Sequence, residues 1–536
     1  MIHDYVLIGI TVLFSVMMLV MLGQKLKIAY PIFLVIAGLL ISFVPGIPQI
    51  VISPDLVFLI FLPPILFEAA WFTSWQDFKK WKKTIFSMAF GLVFLTSVVV
   101  ALVSSTIIPG VTLALGFLLG GINSPPDAVA ATSVLKHIKI PKKITSILEG
   151  ESLINDASSL IVFKFALAAV LTGQFILNVA ITQFFIMAIG GIAVGLLLGW
   201  LFGGLLRIIP SNSNIDTVLT LLAPYVMYIS AEYFHFSGVL AVVSGGLLMS
   251  YNSYCYLSHI SRLQAGNVWS VIIFLMNTFI FILIGLELPV IIKGLSDYTI
   301  GQGIYYSIII GGAIIFTRFL YCYFMAYVPY WVSIQYRKKN PKPNWKEPFI
   351  LSFAAMRGVV SLAAALSIPL VMPSGENFPH RNIIILVTFI IILMTLVGQG
   401  LLLSPILKLL KMDNDEAEVS KENQELKILQ VLKNAALDKI NTTYNEDIRT
   451  NQLMNHQKVK LENEIMLLEN KTSCIVNIEE FSSAVQNNKL MMRNIIEVQR
   501  NELKKLRKNT MFDDEVLRTA EMQLDLEEAK ITGFQL

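Results

Sequence analysis

Long apolar runs alternate with short polar segments from the start of the chain to about residue 410. A helix needs about 20 residues to cross the hydrocarbon core of a bilayer. Thirteen runs approach or exceed that length, at approximately 4–22, 30–44, 55–73, 84–108, 111–135, 145–171, 176–206, 216–234, 237–251, 268–292, 301–333, 347–372 and 382–409. None shows the strict alternation of a barrel strand, so the pattern predicts an all-α membrane protein.

The chain changes character after residue 410, where Lys, Glu, Asn, Gln and Asp predominate. Apolar residues recur there at helical spacing, as in Ile428, Leu429, Leu432 and Ala436. We therefore predict a transmembrane domain over 1–410 and a helical C-terminal domain over 411–536. Helical stretches are expected near 425–437, 453–470, 479–507 and 513–530. A regulatory role, contact with a dimer mate and a purely scaffolding role are all open for this tail.

Basic residues fall almost entirely in alternate loops. Loops after odd-numbered runs hold Lys25, Lys27, Lys79, Lys80, Lys82, Lys83, Lys136, Lys139, Lys142, Lys143, Arg207, Arg262, Arg337, Lys338, Lys339, Lys342 and Lys346. Loops after even-numbered runs hold only Lys293 and Arg381. The positive-inside rule then predicts a multi-pass protein of the cell membrane with its N-terminus outside and its tail in the cytoplasm. The first run follows no basic leader, which predicts a retained helix.

Composition narrows the class of function. The chain is 55% hydrophobic and only 15% charged, which is typical of membrane proteins. A net charge of +4 gives no case for nucleic acid, and three widely spaced cysteines predict neither a disulfide framework nor a zinc site. No phosphate-cradling loop occurs, so we expect no cofactor and no enzymatic ATP hydrolysis, and the energy must come from ion gradients.

Two of the runs carry helix-breaking residues. Pro125 and Pro126 in the fifth run lack amide donors and clash with the preceding turn, so the helix is expected to unwind there. The twelfth run is interrupted at Met356-Arg-Gly358. The fifth and twelfth runs are separated by seven positions in the order of the runs. The third and tenth runs have the same separation, and each carries one acid, Glu68 and Glu287. An odd offset predicts an inverted repeat with two broken helices, which is typical of transporters.

The sixth run holds several polar residues in its middle, Glu149-Gly-Glu-Ser-Leu-Ile-Asn-Asp-Ala-Ser-Ser159. A charge within a bilayer costs several kcal/mol and persists only where something compensates it. We expect Asp156 to be the shared site for Na⁺ and H⁺, because a carboxylate is a hard oxygen ligand that protonation makes neutral. The alternative is a permanently paired structural acid, but no basic residue lies one turn away.

Three more side chains are candidates for the ion and proton site. Ser152 lies one turn before Asp156 on the same face of the helix. Its hydroxyl either binds the ion or hydrogen-bonds to the backbone of its own helix. Asp127 follows the double proline, where it serves as a ligand or caps the second half-helix. Glu68 belongs to the ion path or to a polar funnel.

A supporting ion pair is predicted beside the site. Arg357 does not lose its proton and needs a partner within the membrane. We expect Glu151 to pair with Arg357 and Asn155 to hydrogen-bond into that pair. Arg318 is expected to have an acidic partner that the sequence does not identify. Glu287, near a run end, is expected at the interface, and Lys164 either influences Asp156 or extends towards the nearer water.

Four segments together resemble the monovalent cation/proton antiporter superfamily, in its sodium/proton exchanger branch. They are Phe61-Leu-Pro-Pro-Ile-Leu-Phe-Glu68, Ser124-Pro-Pro-Asp-Ala-Val-Ala130, Gly150-Glu-Ser-Leu-Ile-Asn-Asp156 and Met356-Arg-Gly358. The resemblance implies the antiporter fold, with a core of approximately 84–171 and 301–409 that moves against a dimerisation domain of approximately 1–73 and 176–292. It also implies a homodimer that exchanges Na⁺, often Li⁺ and sometimes K⁺, for H⁺.

The resemblance extends to single residues. The family uses a serine at the position of Ser152, and members with Asn-Asp at the positions of Asn155 and Asp156 are generally electroneutral. Many relatives place Thr immediately before the acid of the fifth run, where this chain has Pro126. Ser124 or a backbone carbonyl then replaces the missing hydroxyl.

These observations predict a secondary antiporter that works by alternating access, with a 1:1 exchange of Na⁺ for H⁺ at Asp156. A K⁺/H⁺ antiporter of the same fold is the main alternative. A cation channel is disfavoured by an inverted repeat around one buried carboxylate, since channels usually form a pore from symmetric filter loops. A membrane receptor that uses the tail as its output predicts that the intramembrane acids are dispensable.

Overall fold

The structure is a computed structural model whose regular elements, within the described residues, are all helices, which confirms the all-α class. It describes residues 2–26, 29–43, 57–135, 140–174, 177–208, 212–295, 298–332, 334, 337, 342–373, 375–410, 415–444, 451–472, 478–507, 520–521 and 523–528. The chain divides into two compact units, Met1–Met412 and Asp413–Leu536. Lys27, Lys136, Lys139, Lys338 and Lys339 of the predicted basic loops lie outside the described residues.

The first unit is built from helices that follow the apolar runs. They are α1 Ile2–Lys25, α2 Tyr30–Ser42, α3 Leu62–Phe72, α4 Trp75–Phe86, α5 Val93–Ile107, α6 Leu113–Asn123, α7 Ala128–Leu135, α8 Lys142–Thr172, α9 Leu177–Ile208, α10 Ser213–Tyr233, α11 Gly238–Tyr256, α12 His259–Leu286, α13 Leu288–Lys293, α14 Ile300–Val332, α15 Lys346–Phe353, α16 Val359–Leu366, α17 Arg381–Leu393 and α18 Gly400–Leu410.

Helical residues occur in every predicted run. By length and composition six helical stretches of the described chain are able to cross a membrane: Trp75–Ile107, Lys142–Thr172, Asn178–Ile208, His259–Lys293, Ile300–Val332 and Arg381–Leu410. Several other apolar helices are shorter. The count of thirteen crossings therefore stays a prediction.

Both predicted helix breaks are confirmed. Helix α6 ends at Asn123 and α7 begins at Ala128, while α15 ends at Phe353 and α16 begins at Val359. The two unwound segments lie against each other, and the backbone amide of Asp127 donates to the carbonyl of Met356 at 2.7 Å. Unwound backbone groups that lack helical partners thus satisfy one another within the protein.

The fourth run is more elaborate than predicted. Its helix begins at Trp75, and a π-helical segment, Ser87–Leu92, joins α4 to α5. A π-turn has one extra residue, which redirects the helix and often marks a functional region. The Ser158 hydroxyl of α8 donates to the carbonyl of Ala89 in this segment. The distortion therefore lies directly against the helix that carries the central acids.

Helices α2 and α12 meet at a pair of glycines. A Cβ atom on Gly38 would lie 2.4 Å from the carbonyl oxygen of Ile282, and one on Gly285 would lie 2.4 Å from that of Val35. Both distances are far below van der Waals contact, so the two backbones touch in a way that small residues alone permit. The contact fixes how these two helices lie relative to each other.

The second unit contains α19 Asp415–Thr443, α20 Gln452–Thr472 and α21 Ile478–Arg507. These helices confirm three of the four stretches predicted for the tail. In the fourth, residues 520–521 and 523–528 are helical and the remainder lies outside the described residues. Helices α19 and α20 are joined by an ion pair between Lys433 and Glu464.

Candidate functional site

Asp156 lies near the middle of α8, a helix of 31 residues. Its side chain is only 8% exposed, and the residues from Leu153 to Ser159 are all buried. Apolar neighbours such as Ile154 and Ala157 belong to the packed interior of the unit. The structure thus places a carboxyl group deep inside a membrane-length helix, as the sequence predicts.

The crossing of the two broken helices lies beside Asp156. The adjacent Asn155 donates from its side-chain amide to the carbonyl of Pro126 at 3.0 Å. Asp127, the next residue along that segment, is close enough to Asp156 for their charges to interact. Helix α8 therefore brings its carboxyl group to the unwound backbone of the fifth run. The Pro126 carbonyl, one of the backbone carbonyls of the unwound segment, already accepts one hydrogen bond.

The candidate hydroxyl groups behave differently from one another. Ser124 is buried, and its hydroxyl donates to the carbonyl of Gly121 at 3.4 Å at the end of α6. Ser152 is half-buried one turn before Asp156. Ser159 donates to the carbonyl of Asp156 at 3.0 Å, so its hydroxyl is used within its own helix. Whether Ser152 or Ser124 contacts an ion stays a prediction.

Glu68 lies in α3 and is half-buried. Both Glu68 and Asp127 interact electrostatically with Tyr30, at the start of α2, and Tyr30 also interacts with the side chain of Asn277 on α12. Its ring packs against Phe274 at 5.8 Å between ring centroids. Glu68 and Asp127 therefore share a polar region with a tyrosine and an asparagine that the sequence analysis did not identify, since neither residue belongs to a helix break or an acidic cluster.

The predicted partner of Glu151 is wrong. Its two carboxylate oxygens accept from Arg318 at 2.6 and 2.8 Å, in a bidentate pair that is almost completely buried. Arg318 also donates to the carbonyl of Leu351 at 3.2 Å. A planar guanidinium group can form two parallel hydrogen bonds to one carboxylate. Here the guanidinium group comes from α14 and lies beside α15. The pair joins α8 to α14 and to the end of α15.

Arg357 has carbonyl partners in place of the predicted Glu151. It donates to the carbonyls of Asn123 at 3.2 Å and Ala355 at 3.1 Å, and its backbone amide donates to the Thr395 hydroxyl at 3.0 Å. The last carbonyls of an interrupted helix lack helical donors and carry partial negative charge, so they attract a guanidinium group. Asn155, predicted to join the ion pair, bonds to the fifth run instead.

Glu287 and Lys164 lie away from the crossing. Glu287 is 1% exposed at the junction of α12 and α13, so its side chain lies inside the protein, and its expected position near the membrane interface stays a prediction. Lys164 is exposed and pairs with Glu232 at 3.0 Å, which agrees with its alternative as a residue that extends towards water.

Gly358 is the residue that permits the crossing. A Cβ atom there would lie 2.0 Å from Oδ2 and 2.6 Å from Cβ of Asp127. We therefore expect Gly358→Ala to force the two unwound segments apart and to lower stability by about 1–3 kcal/mol. Thermal unfolding of the purified protein in detergent measures this loss.

Gly312→Ala is the matched control, because nothing lies within 4 Å of a Cβ atom at this position in α14. Replacing an exposed helical glycine is expected to be neutral or to stabilise by about 0.5–1 kcal/mol. Equal stability of the two variants would contradict the close contact at Gly358.

The comparisons with known proteins agree with this architecture. Residues 10–409 match the family described as sodium/hydrogen exchanger, transmembrane. The chain is 32% identical over 448 residues to the sodium, potassium, lithium and rubidium/H(+) antiporter of Bacillus pumilus (strain SAFR-032), with 81% of this chain and 66% of that relative covered. This chain thus spans just under two thirds of that relative's length.

Two further comparisons are of similar kind. The chain is 32% identical over 418 residues to the uncharacterized Na(+)/H(+) exchanger YjcE of Escherichia coli (strain K12), with 75% of this chain and 74% of the relative covered. The sodium proton antiporter MjNhaP1 from Methanocaldococcus jannaschii has the same fold, with a TM-score of 0.59 at 20% identity over 76% of this chain and 98% of that one. With the family matched along most of the membrane region, this chain belongs to the sodium/hydrogen exchanger family.

Proposed function

We propose that this protein is a secondary active antiporter that exchanges Na⁺ for H⁺ across the membrane by alternating access, with Asp156 as the shared site. Membership of the family gives cation/proton exchange as the class of activity. The proposal that Asp156 is the shared site rests on its burial in α8, beside the crossing of the two interrupted helices.

The arginines near the site are already engaged. Arg318 binds Glu151, and Arg357 binds helix-end carbonyls. Within the described residues no lysine or arginine forms an ion pair with Asp156. A buried carboxylate without a fixed counter-charge is costly, so a mobile cation or a proton has to neutralise it. This supports a site that is occupied in turn by Na⁺ and by H⁺.

The surrounding side chains have proposed roles of their own. Asp127 and Ser152 supply further oxygen ligands to Na⁺. The Ser124 hydroxyl, beside the unwound segment, is an additional candidate ligand. Glu68 lines the path by which the cation reaches the site. The Glu151–Arg318 pair holds α8 in place, Asn155 ties Asp156 to the crossing, and Arg357 neutralises the helix ends.

The stoichiometry follows from one carboxyl group. Na⁺ and H⁺ each neutralise Asp156 once, so a complete cycle moves one charge in each direction. We therefore propose a 1:1 electroneutral exchange in a homodimer, oriented with its N-terminus outside and its tail in the cytoplasm, as the distribution of basic residues supports. Li⁺ has the same charge and hard character as Na⁺ and is a further proposed substrate.

Purified protein in liposomes with a trapped pH-sensitive dye tests this proposal. Adding Na⁺ or Li⁺ outside acidic vesicles is expected to dissipate the pH gradient. Clamping the membrane potential between 0 and about −100 mV with K⁺ and valinomycin is expected to leave the initial rate unchanged. A rate that depends steeply on voltage would contradict the 1:1 stoichiometry, since each net charge moved gains about 2.3 kcal/mol per 100 mV.

A K⁺/H⁺ antiporter of the same fold is the second candidate, because the Bacillus pumilus relative is named for sodium, potassium, lithium and rubidium. The same vesicles separate the two when K⁺ is added alone, without valinomycin. Dissipation of the pH gradient by K⁺ but not by Na⁺ would replace the first proposal with the second.

A further inference from the structure

The proposed ion exchange does not explain the composition of helix α4, Trp75–Phe86. Its sequence is WQDFKKWKKTIF, and the four lysines Lys79, Lys80, Lys82 and Lys83 are all exposed. Trp75 and Phe86 are also exposed, by 44% and 46%. Trp75, Lys79, Lys82 and Phe86 recur at intervals of four, three and four residues, so they share one face of the helix. This face combines positive charge with aromatic surface.

The positive charge of α4 is not compensated within the helix. Its one acid, Asp77, already pairs with Lys142 at 2.8 Å. Lys143, the next residue of α8, pairs with Glu347 and lies over the ring of Trp81 at 4.9 Å from its centroid, so this side of α4 is covered by the protein itself. Lys79 and Lys82 are exposed and form no ion pair within the described residues, while Trp75 on the same face contacts the ring of Tyr251 of α11 at 6.0 Å between ring centroids.

The position of α4 explains why charge and aromatic surface occur together. Helix α4 continues through the π-helical segment into α5, and the stretch Trp75–Ile107 is long and apolar enough to cross a membrane. The lysines therefore lie at the end of a membrane-length helix. Aromatic rings favour the boundary between headgroups and acyl chains, and lysine clusters beside a crossing helix attract anionic lipids.

From this arrangement we infer that α4 is a binding site for the headgroup of an anionic phospholipid. The ammonium groups of Lys79, Lys82 and Lys83 contact the phosphate and any further negative charge of the headgroup. Phe86, on the membrane side of the lysines, lies at the upper end of the acyl chains, and Trp75, at the start of α4, lies among the headgroups. A protein partner would not need an aromatic face that is continuous with the membrane boundary.

The lipid site is connected to the helix that carries Asp156. A Cβ atom on Gly150 would lie 2.6 Å from Cδ1 of Ile85 in α4, so α4 and α8 are in tight contact. Four residues beyond Ile85, the Ala89 carbonyl accepts from Ser158 of α8. Gly150 and Ser158 flank Asp156, so lipid held on α4 stabilises one position of α8. This second consequence rests on the proposed exchange function, whereas lipid binding does not.

Lipid selectivity of the full-length protein tests the binding site. Spin-labelled phosphatidylglycerol and phosphatidylcholine are compared for the fraction of lipid immobilised at the protein surface. Each lysine contributes about fivefold to binding an anionic surface. The variant Lys79→Gln/Lys82→Gln/Lys83→Gln is expected to lose the preference for phosphatidylglycerol, by tenfold or more in relative affinity. The variant with arginine at the same three positions is expected to retain it.

The control removes three exposed lysines from the tail, as Lys427→Gln/Lys439→Gln/Lys460→Gln, and has the same net charge as the first variant. It is expected to keep the wild-type preference. Competition with glycerol 1-phosphate and with inorganic phosphate separates a lipid headgroup from a free anion, and neither is expected to displace the lipid at 1 mM. An unchanged preference in the α4 variant, an equal loss in the tail variant, or displacement by free phosphate would overturn the inference.

The exchange assay supplies a separate readout. In vesicles with 0 and about 30% phosphatidylglycerol, the wild-type rate is expected to differ at least twofold, and the rate of the α4 glutamine variant is expected not to differ. A wild-type rate independent of phosphatidylglycerol would overturn the coupling to α8. Absence of exchange with any cation, alongside intact lipid selectivity, would refute the proposed function and leave the lipid site standing.

Discussion

Replacing Asp156 with Asn is expected to abolish exchange, with a loss of at least 100-fold in the Na⁺- or Li⁺-dependent dissipation of a pH gradient. The amide has nearly the shape of the carboxyl group, and position 156 is buried in well-packed surroundings. Folding is therefore expected to survive, because a neutral group no longer needs a compensating cation. The amide neither carries a proton through the cycle nor offers a negative charge to Na⁺.

Asp216→Asn provides the matched control. Asp216 is also a buried acid, in α10, where its carboxylate accepts from the hydroxyl of Ser261 at 2.6 Å. The amide oxygen of Asn still accepts this hydrogen bond, so exchange is expected to persist. Size-exclusion profiles and thermal unfolding show whether both variants are folded. If the folded Asp156→Asn protein retained exchange, the assignment of the site to Asp156 would be wrong. If both variants lost exchange, the loss would not be specific to Asp156.

Replacing Arg318 with Met is expected to destabilise the protein by about 3–5 kcal/mol, because the Glu151 carboxylate would stay buried without its bidentate partner. The Leu351 carbonyl would lose a donor as well. Thermal unfolding in detergent, followed by the amount of monodisperse protein after heating, measures the loss. The double variant Glu151→Gln/Arg318→Met is expected to recover much of it, since no uncompensated charge remains.

Lys164→Met removes one partner of an exposed ion pair, with Glu232, and is the control for this experiment. Such pairs contribute about 0–1 kcal/mol, so its unfolding temperature is expected to stay near that of the wild type. A loss for Arg318→Met as small as that for Lys164→Met would show that the buried pair is not the link between α8 and α14.

The breaks in the helices were predictable from sequence because their cause is local. Pro125 and Pro126 remove two amide donors wherever the chain goes, and Gly358 lies in a polar interruption of an otherwise apolar run. The burial of Asp156 was predictable for a similar reason, since the apolar residues on both sides of it place it within the membrane. Local chemistry thus predicts which helices are broken and which acid is central.

The choice of ion-pair partner depends on how distant helices pack, and this is why the Glu151–Arg357 prediction failed. Two buried arginines were available for Glu151, and only the placement of α14 decides in favour of Arg318. The carbonyls that bind Arg357 belong to the backbone and leave no mark in the sequence. Tyr30 was missed because its link to Glu68 and Asp127 arises from the fold alone.

The glycine contact between α2 and α12 has a mechanical consequence. Where backbone meets backbone at Gly38 and Gly285, a shift of a fraction of a helical turn would press a side chain into a main-chain oxygen. These two helices therefore move as one rigid body. Any movement that opens the carboxyl group of α8 first to one aqueous compartment and then to the other must take place along surfaces that lack such an interlock.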